Sequence, residues 1–414
     1  MRLCSSEKCT GCMACVNICP KDAIEKVKDS EGFLHPVIVS EKCVHCKKCI
    51  EVCPQIHNVQ VPECEKTVYA AWHKNKYIRK KSTSGGAFTA FACSVLDNEG
   101  FVFGAGFDQN KTIIHKCVAE QDNLTELRGS KYVQSDIGLS YRRVKESIKE
   151  GRVVLFSGTP CQIAGLYGYL GKRFEGQLYT IDLVCHGVPS PRVYQEYLKY
   201  MSEVYQSNIK KVFFREKCPG WYVFGMRIEF ENQKVYQKNT YQDPFIRGFL
   251  REYFLRPACH NCLYANTDRI ADITLADFWG YSSTNEDNFD DDKGISMIML
   301  NTENGKALFD KSKDSLYYWE KDILEAINGN QALRESFAPS DKREEFWSDY
   351  YKLPFNQIIE KYLYPEDMPT WFLDRAKKIK AHKREIRLKK YFGYKNYRRL
   401  QKIKKRLKID ISLC

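Results

Sequence analysis

The sequence contains no long hydrophobic run. Nowhere in its 414 residues is there a stretch of about 18 apolar residues, which a membrane-spanning helix needs. The first nine residues also lack the apolar core of a secretory signal. These two absences predict a cytoplasmic protein.

Acidic residues are almost missing from one segment near the C-terminus. Between residues 375 and 408 there are 17 Lys and Arg and a single acid, Glu385. The net charge of +13 is therefore concentrated in this tail, and the rest of the chain is close to neutral. Trp371, Phe372 and other apolar residues are mixed with the charges, so we predict a helical, strongly basic extension over residues 346–414.

This basic tail has three possible roles at the sequence level. A basic amphipathic helix can lie on an anionic surface, here the inner face of the membrane. Docking on an acidic partner protein and a plain solvated helix are the alternatives, and the sequence leaves all three open. Nucleic-acid binding is disfavoured because the charge lies at a terminus, far from any recognised binding fold.

Cysteine, by contrast, is abundant. The chain has 18, and because disulfides are rare in the cytosol, metal ligation is the better explanation. Two runs share the pattern C-x2-C-x2-C-x3-C-P of two-cluster bacterial ferredoxins, in which the fourth cysteine of each run reaches across to the other cluster. One predicted 4Fe-4S set is therefore Cys9, Cys12, Cys15 and Cys53. The other is Cys43, Cys46, Cys49 and Cys19.

A zinc site is the competing interpretation of these cysteines. Structural zinc needs four ligands, usually in two C-x2-C pairs, and a duplicated pattern of three cysteines plus one fits this poorly. We therefore predict a two-cluster, bacterial-ferredoxin-like domain over residues 1–60. Cys4 and Cys64 fall outside the pattern and are interpreted as bystanders.

Strand and helix patterns alternate in the body of the chain. The apolar runs Val153–Phe156 and Leu178–Val184 each lead into a loop and a helix, the second helix beginning near Pro191. Two successive strand–loop–helix units predict adjacent parallel strands. Because ligands of such sheets bind outside the carboxyl ends of the strands, the position of Cys161 and Cys185 just there points to a site.

A further C-x2-C pair is formed by Cys259 and Cys262. Alone, the pair could be half a zinc site or two unrelated thiols. Together with Cys161 and Cys185 it completes a set of four, which predicts a third 4Fe-4S cluster in the core.

Six strings in this body resemble the beta subunits of coenzyme F420-reducing hydrogenases and F420-linked dehydrogenases. They begin at Ser84 (SGGA), Gly129 (GSKYVQS), Phe156 (FSGTPCQIAGL), Asp182 (DLVCHGVPSP), Cys259 (CHNC) and Arg269 (RIAD, with DFWG from Asp277). With the ferredoxin-like domain, the resemblance covers most of the chain up to about residue 310. Ala276 stands where the family usually has Gly.

The resemblance implies FAD and a 4Fe-4S cluster in a core that we place over residues 65–345. It assigns the cluster to Cys161, Cys185, Cys259 and Cys262, in agreement with their position at the strand ends. The candidate FAD-binding residues are Ser84, Gly85, Gly86, Lys131, Gln134, Ser135 and Thr159. Ser84, Gly85 and Gly86 precede a predicted helix, whose N-terminus favours a phosphate; a capping loop is the plain alternative.

The predicted fold class is α+β followed by α/β: a ferredoxin-like domain, a mixed α/β flavin and iron–sulfur core, and a helical basic tail. The predicted function is that of an oxidoreductase that passes electrons between 4Fe-4S clusters and FAD and exchanges a hydride with coenzyme F420 or another organic substrate. A redox partner protein or a ferredoxin is the expected partner. A non-catalytic relay subunit of a larger complex is the alternative, whereas no DNA-binding motif supports a redox sensor.

Overall fold

The computed structural model describes residues 3–218, 220–281 and 291–364, together with Arg384. The predicted basic tail beyond residue 364 lies, apart from Arg384, outside the described residues. The described residues up to 281 and from 293 to 364 form one compact unit, which holds both the ferredoxin-like region and the core and continues past the predicted core limit at 345. None of the described helices is long and apolar enough to cross a membrane.

The N-terminal region consists of a hairpin and two short helices. Its elements are α1 (Ala14–Ile18), β1 (Ile24–Lys28), β2 (Leu34–Ile38), a 3-10 turn (Ser40–Lys42) and α2 (Lys48–Glu51). β1 and β2 pair antiparallel. Met13 (φ 59°) and Lys47 (φ 61°), which follow the second cysteine of each run, both adopt the left-handed conformation and begin a short helix. The duplicated sequence pattern therefore gives a duplicated backbone geometry.

Within the described residues, the strands of the core form two sheets. The strands are β3 (Thr67–His73), β4 (Phe101–Phe107), β5 (Ile113–Val118), β6 (Val154–Gly158), β7 (Leu178–Leu183), β8 (Ile209–Glu216), β9 (Gly225–Phe230), β10 (Val235–Asn239), β11 (Ile273–Asp277), β12 (Ser296–Leu300) and β13 (Leu316–Lys321). Among the described residues, the large sheet has eight strands in the order β13-β3-β12-β11-β7-β6-β4-β5. The parallel pairing predicted for β6 and β7 is confirmed, and β4 and β11 continue it on either side.

Helices cover both faces of the large sheet. The core helices are α3 (Lys76–Lys81), α4 (Ala87–Leu96), α5 (Ser140–Lys149), α6 (Pro160–Leu170), α7 (Pro191–Tyr205), α8 (Pro244–Leu250), α9 (Glu303–Ser312), α10 (Ile323–Gly329), α11 (Arg343–Tyr350) and α12 (Phe355–Tyr362). Alternate residues of β6 point to opposite faces: Leu155 belongs to the apolar layer of α4 and α9, whereas Val154 and Phe156 belong to that of α5 and α6.

The small sheet, in the order β10-β9-β8, packs with α7, α8, α11 and α12. Their shared core is rich in aromatic rings, including the fully buried Phe214, Phe254 and Phe346. Because α11 and α12 contribute Phe346 and Ile358 to this core, the chain as far as Tyr362 is part of the globular unit.

Two capped helix starts place cysteine residues at the edge of the large sheet. α6 begins directly after β6 with a capping box between Thr159 and Gln162, which puts Cys161 in its first turn. α7 begins at Pro191, as predicted, and is capped by Ser190, which accepts from the amide of Val193 at 3.1 Å. Thr159 directly follows β6, and Cys185 lies two residues after the end of β7, so both cysteines lie at the carboxyl ends of these strands.

The ferredoxin-like region lies directly against α6. A Cβ atom on Gly165 would stand 2.8 Å from the Cβ of Cys12, and one on Gly168 would stand 2.5 Å from the carbonyl oxygen of Val52. These two glycines therefore allow the loops of both cysteine runs to approach the helix backbone. The glycine spacing on α6 is thus explained by close packing.

Candidate metal centres and cofactor site

The first cysteine set, Cys9, Cys12, Cys15 and Cys53, lines one open pocket of about 370 Å³. The structure therefore brings together the crossed set that the spacing predicts. Cys4 also lines this pocket, although it is outside the motif. Burial raises the pKa of Cys12 and Cys15, and the neighbouring thiolates raise it further, because like charges close together disfavour ionisation.

The second cysteine set, Cys19, Cys43, Cys46 and Cys49, lines another open pocket of about 350 Å³. Lys21, Lys47 and Lys48 line it as well and are exposed. The second set therefore faces solvent through a basic rim, whereas three of the four cysteines of the first set are buried.

The core cysteine set comes from three loops. Cys161 opens α6, Cys185 follows β7, and Cys259 and Cys262 belong to the 3-10 turn Pro257–Asn261 and its C-cap. Burial, with a contribution from the thiolate of Cys262, raises the pKa of Cys161 to about 11 and that of Cys259 to about 12. The pKa of Cys185 is raised by burial and by the other three thiolates. The four predicted cysteines thus lie within electrostatic reach of one another.

The first set and the core set are neighbours. Cys12, Cys161 and Cys262 all belong to the apolar cluster that surrounds α6. The thiolate of Cys161 raises the pKa of Cys12, after burial and Cys9. The ring of Tyr141 lies beside both sets: burial raises its pKa, and the thiolates of Cys12 and Cys161 raise it further. These side chains connect the ferredoxin-like region to the core.

Arg256 is a buried cation between these two sets, and sequence reasoning did not select it. Its side chain is fully buried. Nε donates to the carbonyl oxygen of Cys9 at 2.6 Å, and Nη1 donates to Oε1 of Gln134 at 2.6 Å. The only sequence signal was its position three residues before Cys259.

The candidate flavin residues fall into two groups. In the first, Ser84 donates its hydroxyl to the carbonyl of Ile295 at 2.8 Å, and Gly86 (φ 97°) is the N-cap of α4. The hydroxyl groups of Ser130 and Thr83 lie 3.4 Å apart, so the loop before α4 meets the loop that carries Lys131. The N-cap residue of α4 makes no side-chain capping hydrogen bond.

Lys131 itself is already engaged. Its ammonium donates to the carbonyls of Leu127 and Arg128, both at 2.9 Å, and to that of Glu126 at 3.2 Å. Burial, together with Lys116, lowers the pKa of Lys131 to about 7. A phosphate contact would therefore require this side chain to exchange its carbonyl partners.

The second group lies near the cysteine sets. Gln134 donates to the carbonyl of Thr10 at 3.1 Å, and Thr159 lies 3.1 Å from Sγ of Cys161. Ser135 contacts Nδ1 of His115 at 3.0 Å, and burial lowers the pKa of His115 to about 4. The seven candidates do not form a single cluster, and FAD binding by any of them stays a prediction.

Comparison with known proteins agrees with the ferredoxin-like region and the core. A family model that describes the C terminus of the coenzyme F420 hydrogenase/dehydrogenase beta subunit matches residues 151–326. A model for a 4Fe-4S dicluster domain matches residues 8–56. These matches define an iron–sulfur protein with a redox role. The chain therefore contains the C-terminal region of the coenzyme F420 hydrogenase/dehydrogenase beta-subunit family, preceded by a 4Fe-4S dicluster domain.

Among solved structures, the chain is similar to one in the F420-reducing NiFe hydrogenase complex from Methanosarcina barkeri, studied by xenon derivatization. The identity is 20%, the match covers 73% of this chain and 94% of that chain, and the TM-score is 0.45. At this level the similarity carries no argument about function. No curated protein matches.

Proposed function

We propose that this protein is an iron–sulfur flavoprotein oxidoreductase that exchanges electrons with a redox partner protein and a hydride with coenzyme F420 or another organic molecule. The observation that carries the proposal is the gathering of twelve cysteines into three sets of four, two of them directly adjacent. Four cysteines around one pocket suit a cubane, which has four iron corners that each take a thiolate.

Each group of residues has a distinct task in this proposal. Bound 4Fe-4S clusters exchange single electrons, and FAD couples single-electron steps to hydride transfer. The second cysteine set would hold its cluster at the surface, where a partner protein can reach it. The first set would hold its cluster away from solvent, because Cys9, Cys12 and Cys15 are each only 8% exposed, whereas the four core cysteines are partly covered.

The loop before α4 supports the FAD part of the proposal. It lies at the edge of the large sheet: the amide of His73, at the end of β3, donates to the carbonyl of Gly85 at 2.9 Å. Lys217 donates to the carbonyls of Ser84, at 2.6 Å, and Arg79, at 3.0 Å, so positive charge is close by. A helix N-terminus without a side-chain cap, beside cations, favours the pyrophosphate of a dinucleotide.

The basic rim of the second set supports the partner part of the proposal. Lys21, Lys47 and Lys48 line the pocket, and Val44, which also lines it, is 55% exposed. A positive surface around an exposed redox site favours an acidic partner, because complementary potentials accelerate encounter. We therefore propose an acidic ferredoxin or a similar redox protein as the partner.

Turnover by the isolated protein tests the enzymatic function. The anaerobically purified chain, reduced by a viologen, is expected to bleach F420 absorbance with bound FAD present, and to lose this activity when FAD is removed. Cys185→Ser should abolish turnover because it removes a core ligand, whereas Cys218→Ser, which changes an exposed cysteine outside the three sets, should leave it unchanged.

The alternative is a non-catalytic relay subunit, and the description of the matching family as a beta subunit favours keeping it. A chain that contains its clusters and accepts electrons, but reduces no organic acceptor without added partner proteins, would establish this alternative.

A further inference from the structure

The guanidinium of Arg256 joins the ferredoxin-like region to the core cysteine loop. Besides its bonds to Cys9 and Gln134, Nη2 donates to the carbonyl of Leu34 at 3.1 Å and lies 3.4 Å from the ring nitrogens of His35. The backbone carbonyl of the same residue accepts from the amide of Cys259 at 2.8 Å. One residue therefore contacts a ligand of the first set through its side chain and a ligand of the core set through its backbone.

The charge of Arg256 reaches both cysteine sets. Its Nε lies 2.6 Å from the carbonyl oxygen of Cys9. Its own backbone carbonyl accepts from the amide of Cys259 at 2.8 Å, so the residue stands between a ligand loop of each set. An arginine side chain stays protonated in proteins, so this field is permanent.

The positive charge has no carboxylate partner at ion-pair distance within the described residues. The two acids nearest in electrostatic effect are engaged elsewhere: Asp29 accepts from His35 at 2.9 Å, and Glu31 pairs with Arg343. An uncompensated buried cation is costly. A cluster ligated by four thiolates carries net negative charge, so occupied cysteine sets on both sides would supply the missing compensation.

The chain also holds this side chain in place. Gln134 accepts from Nη1 of Arg256 and donates to the carbonyl of Thr10 at 3.1 Å. Gly11 (φ 67°) leaves the space for both groups, because a Cβ there would stand 2.3 Å from Nε2 of Gln134 and 2.9 Å from Nη1 of Arg256. The guanidinium is thus fixed between the sets by residues of both regions.

We propose that Arg256 is a positioning residue that raises the reduction potentials of the first cluster and the core cluster together and holds the two sites in register, with Gln134 as its support. A nearby positive charge stabilises the reduced cluster, which carries one more negative charge. The inference rests on the proposed binding of clusters by these cysteine sets, and not on the flavin or the substrate.

The test is an anaerobic redox titration of the full chain, followed by electron paramagnetic resonance of each cluster. Arg256→Gln is expected to shift the first and core clusters to more negative potentials. The cluster of the second set, identified by its loss in Cys46→Ala, should keep its potential and so acts as an internal reference. Arg256→Lys, which retains the charge, should shift both potentials less than Arg256→Gln.

Two further variants keep the test decisive. Gln134→Glu leaves Arg256 in place but pairs it with a carboxylate, so it should shift the same two potentials in the same direction even if Arg256→Gln does not assemble. Arg247→Gln removes another buried arginine (4% exposed), whose Nη1 donates to the carbonyl of Tyr241, and should leave all potentials unchanged. Unchanged potentials in cluster-replete Gln134→Glu and Arg256→Gln would overturn the inference, whereas absence of clusters from the unmutated protein would instead overturn the proposed function.

Discussion

The two cysteine runs have the same spacing and the same backbone geometry but opposite surroundings. In the first run, Cys9, Cys12 and Cys15 are each 8% exposed. In the second run, Cys46 is exposed, and Cys43 and Cys49 are only partly covered. The difference arises because the first run packs on the core, where Arg142 of α5 donates to the carbonyls of Asn17 and Cys19. The motif thus specifies ligand geometry, whereas tertiary packing decides which site faces the partner and which faces the core.

The largest expected effects come from removing one cysteine ligand from each of the two runs. Cys12→Ala and Cys46→Ala should each lose about four iron atoms per chain, and both should stop electron transfer from a redox protein to the core. Cys12→Ala should in addition lower the free energy of unfolding by roughly 2 kcal/mol more than Cys46→Ala, because it opens a cavity in the apolar cluster around α6. Iron analysis and chemical denaturation measure both effects. Equal destabilisation would show that burial of the first set has no energetic consequence.

Gly165→Ala tests the close contact between the first cysteine run and α6. The added methyl group would stand 2.8 Å from Cβ of Cys12 and 2.9 Å from the hydroxyl of Tyr141, so the first run must move away from α6. We expect a loss of about 1–3 kcal/mol in unfolding free energy and a changed resonance signal for the first cluster, with that of the second unaltered. A variant with the stability and spectra of the unmutated protein would contradict the close contact.

Charge reversal at the basic rim should affect only the exposed set. Lys47→Glu combined with Lys48→Glu should raise the KM for a reduced acidic ferredoxin roughly tenfold at low salt, with less effect at high salt. Turnover with a viologen should be unchanged. Lys234→Glu, an exposed lysine in the turn between β9 and β10, is the matched control. Equal sensitivity to both reversals would place the partner elsewhere.

The smallest effect is expected at the start of α6. Thr159→Val removes the hydroxyl that lies 3.1 Å from Sγ of Cys161 and that caps the helix. The cap contributes about 1 kcal/mol, so the melting temperature should fall by a few degrees and the core cluster should become slightly harder to reduce. A thermal scan and the redox titration check this, and a shift of the second cluster instead would contradict the assignment.

Local patterns in the sequence predicted much of this structure. The parallel pairing of β6 with β7 and the helix start at Pro191 follow from apolar runs and helix-start signals, which involve only neighbouring residues. The crossed cysteine sets follow from a spacing typical of two-cluster ferredoxins. These features need no knowledge of distant contacts.

Contacts between distant residues were not predictable in the same way. Arg256 and Cys9 are 247 positions apart, and no local pattern indicates that they meet. The antiparallel strands β12 and β13, which both flank β3, likewise depend on long-range pairing. Lys131 stays a predicted FAD-binding residue, but its three hydrogen bonds to backbone carbonyls were not predictable from the motif, because they depend on how the preceding loop folds.

The most direct test of the account is the cofactor content of the anaerobically purified protein, measured as iron, acid-labile sulfide and flavin per chain. We predict about twelve iron and about twelve sulfide atoms, in three clusters of four, together with one FAD. A colourless protein with zinc or no metal bound to these cysteines would contradict it.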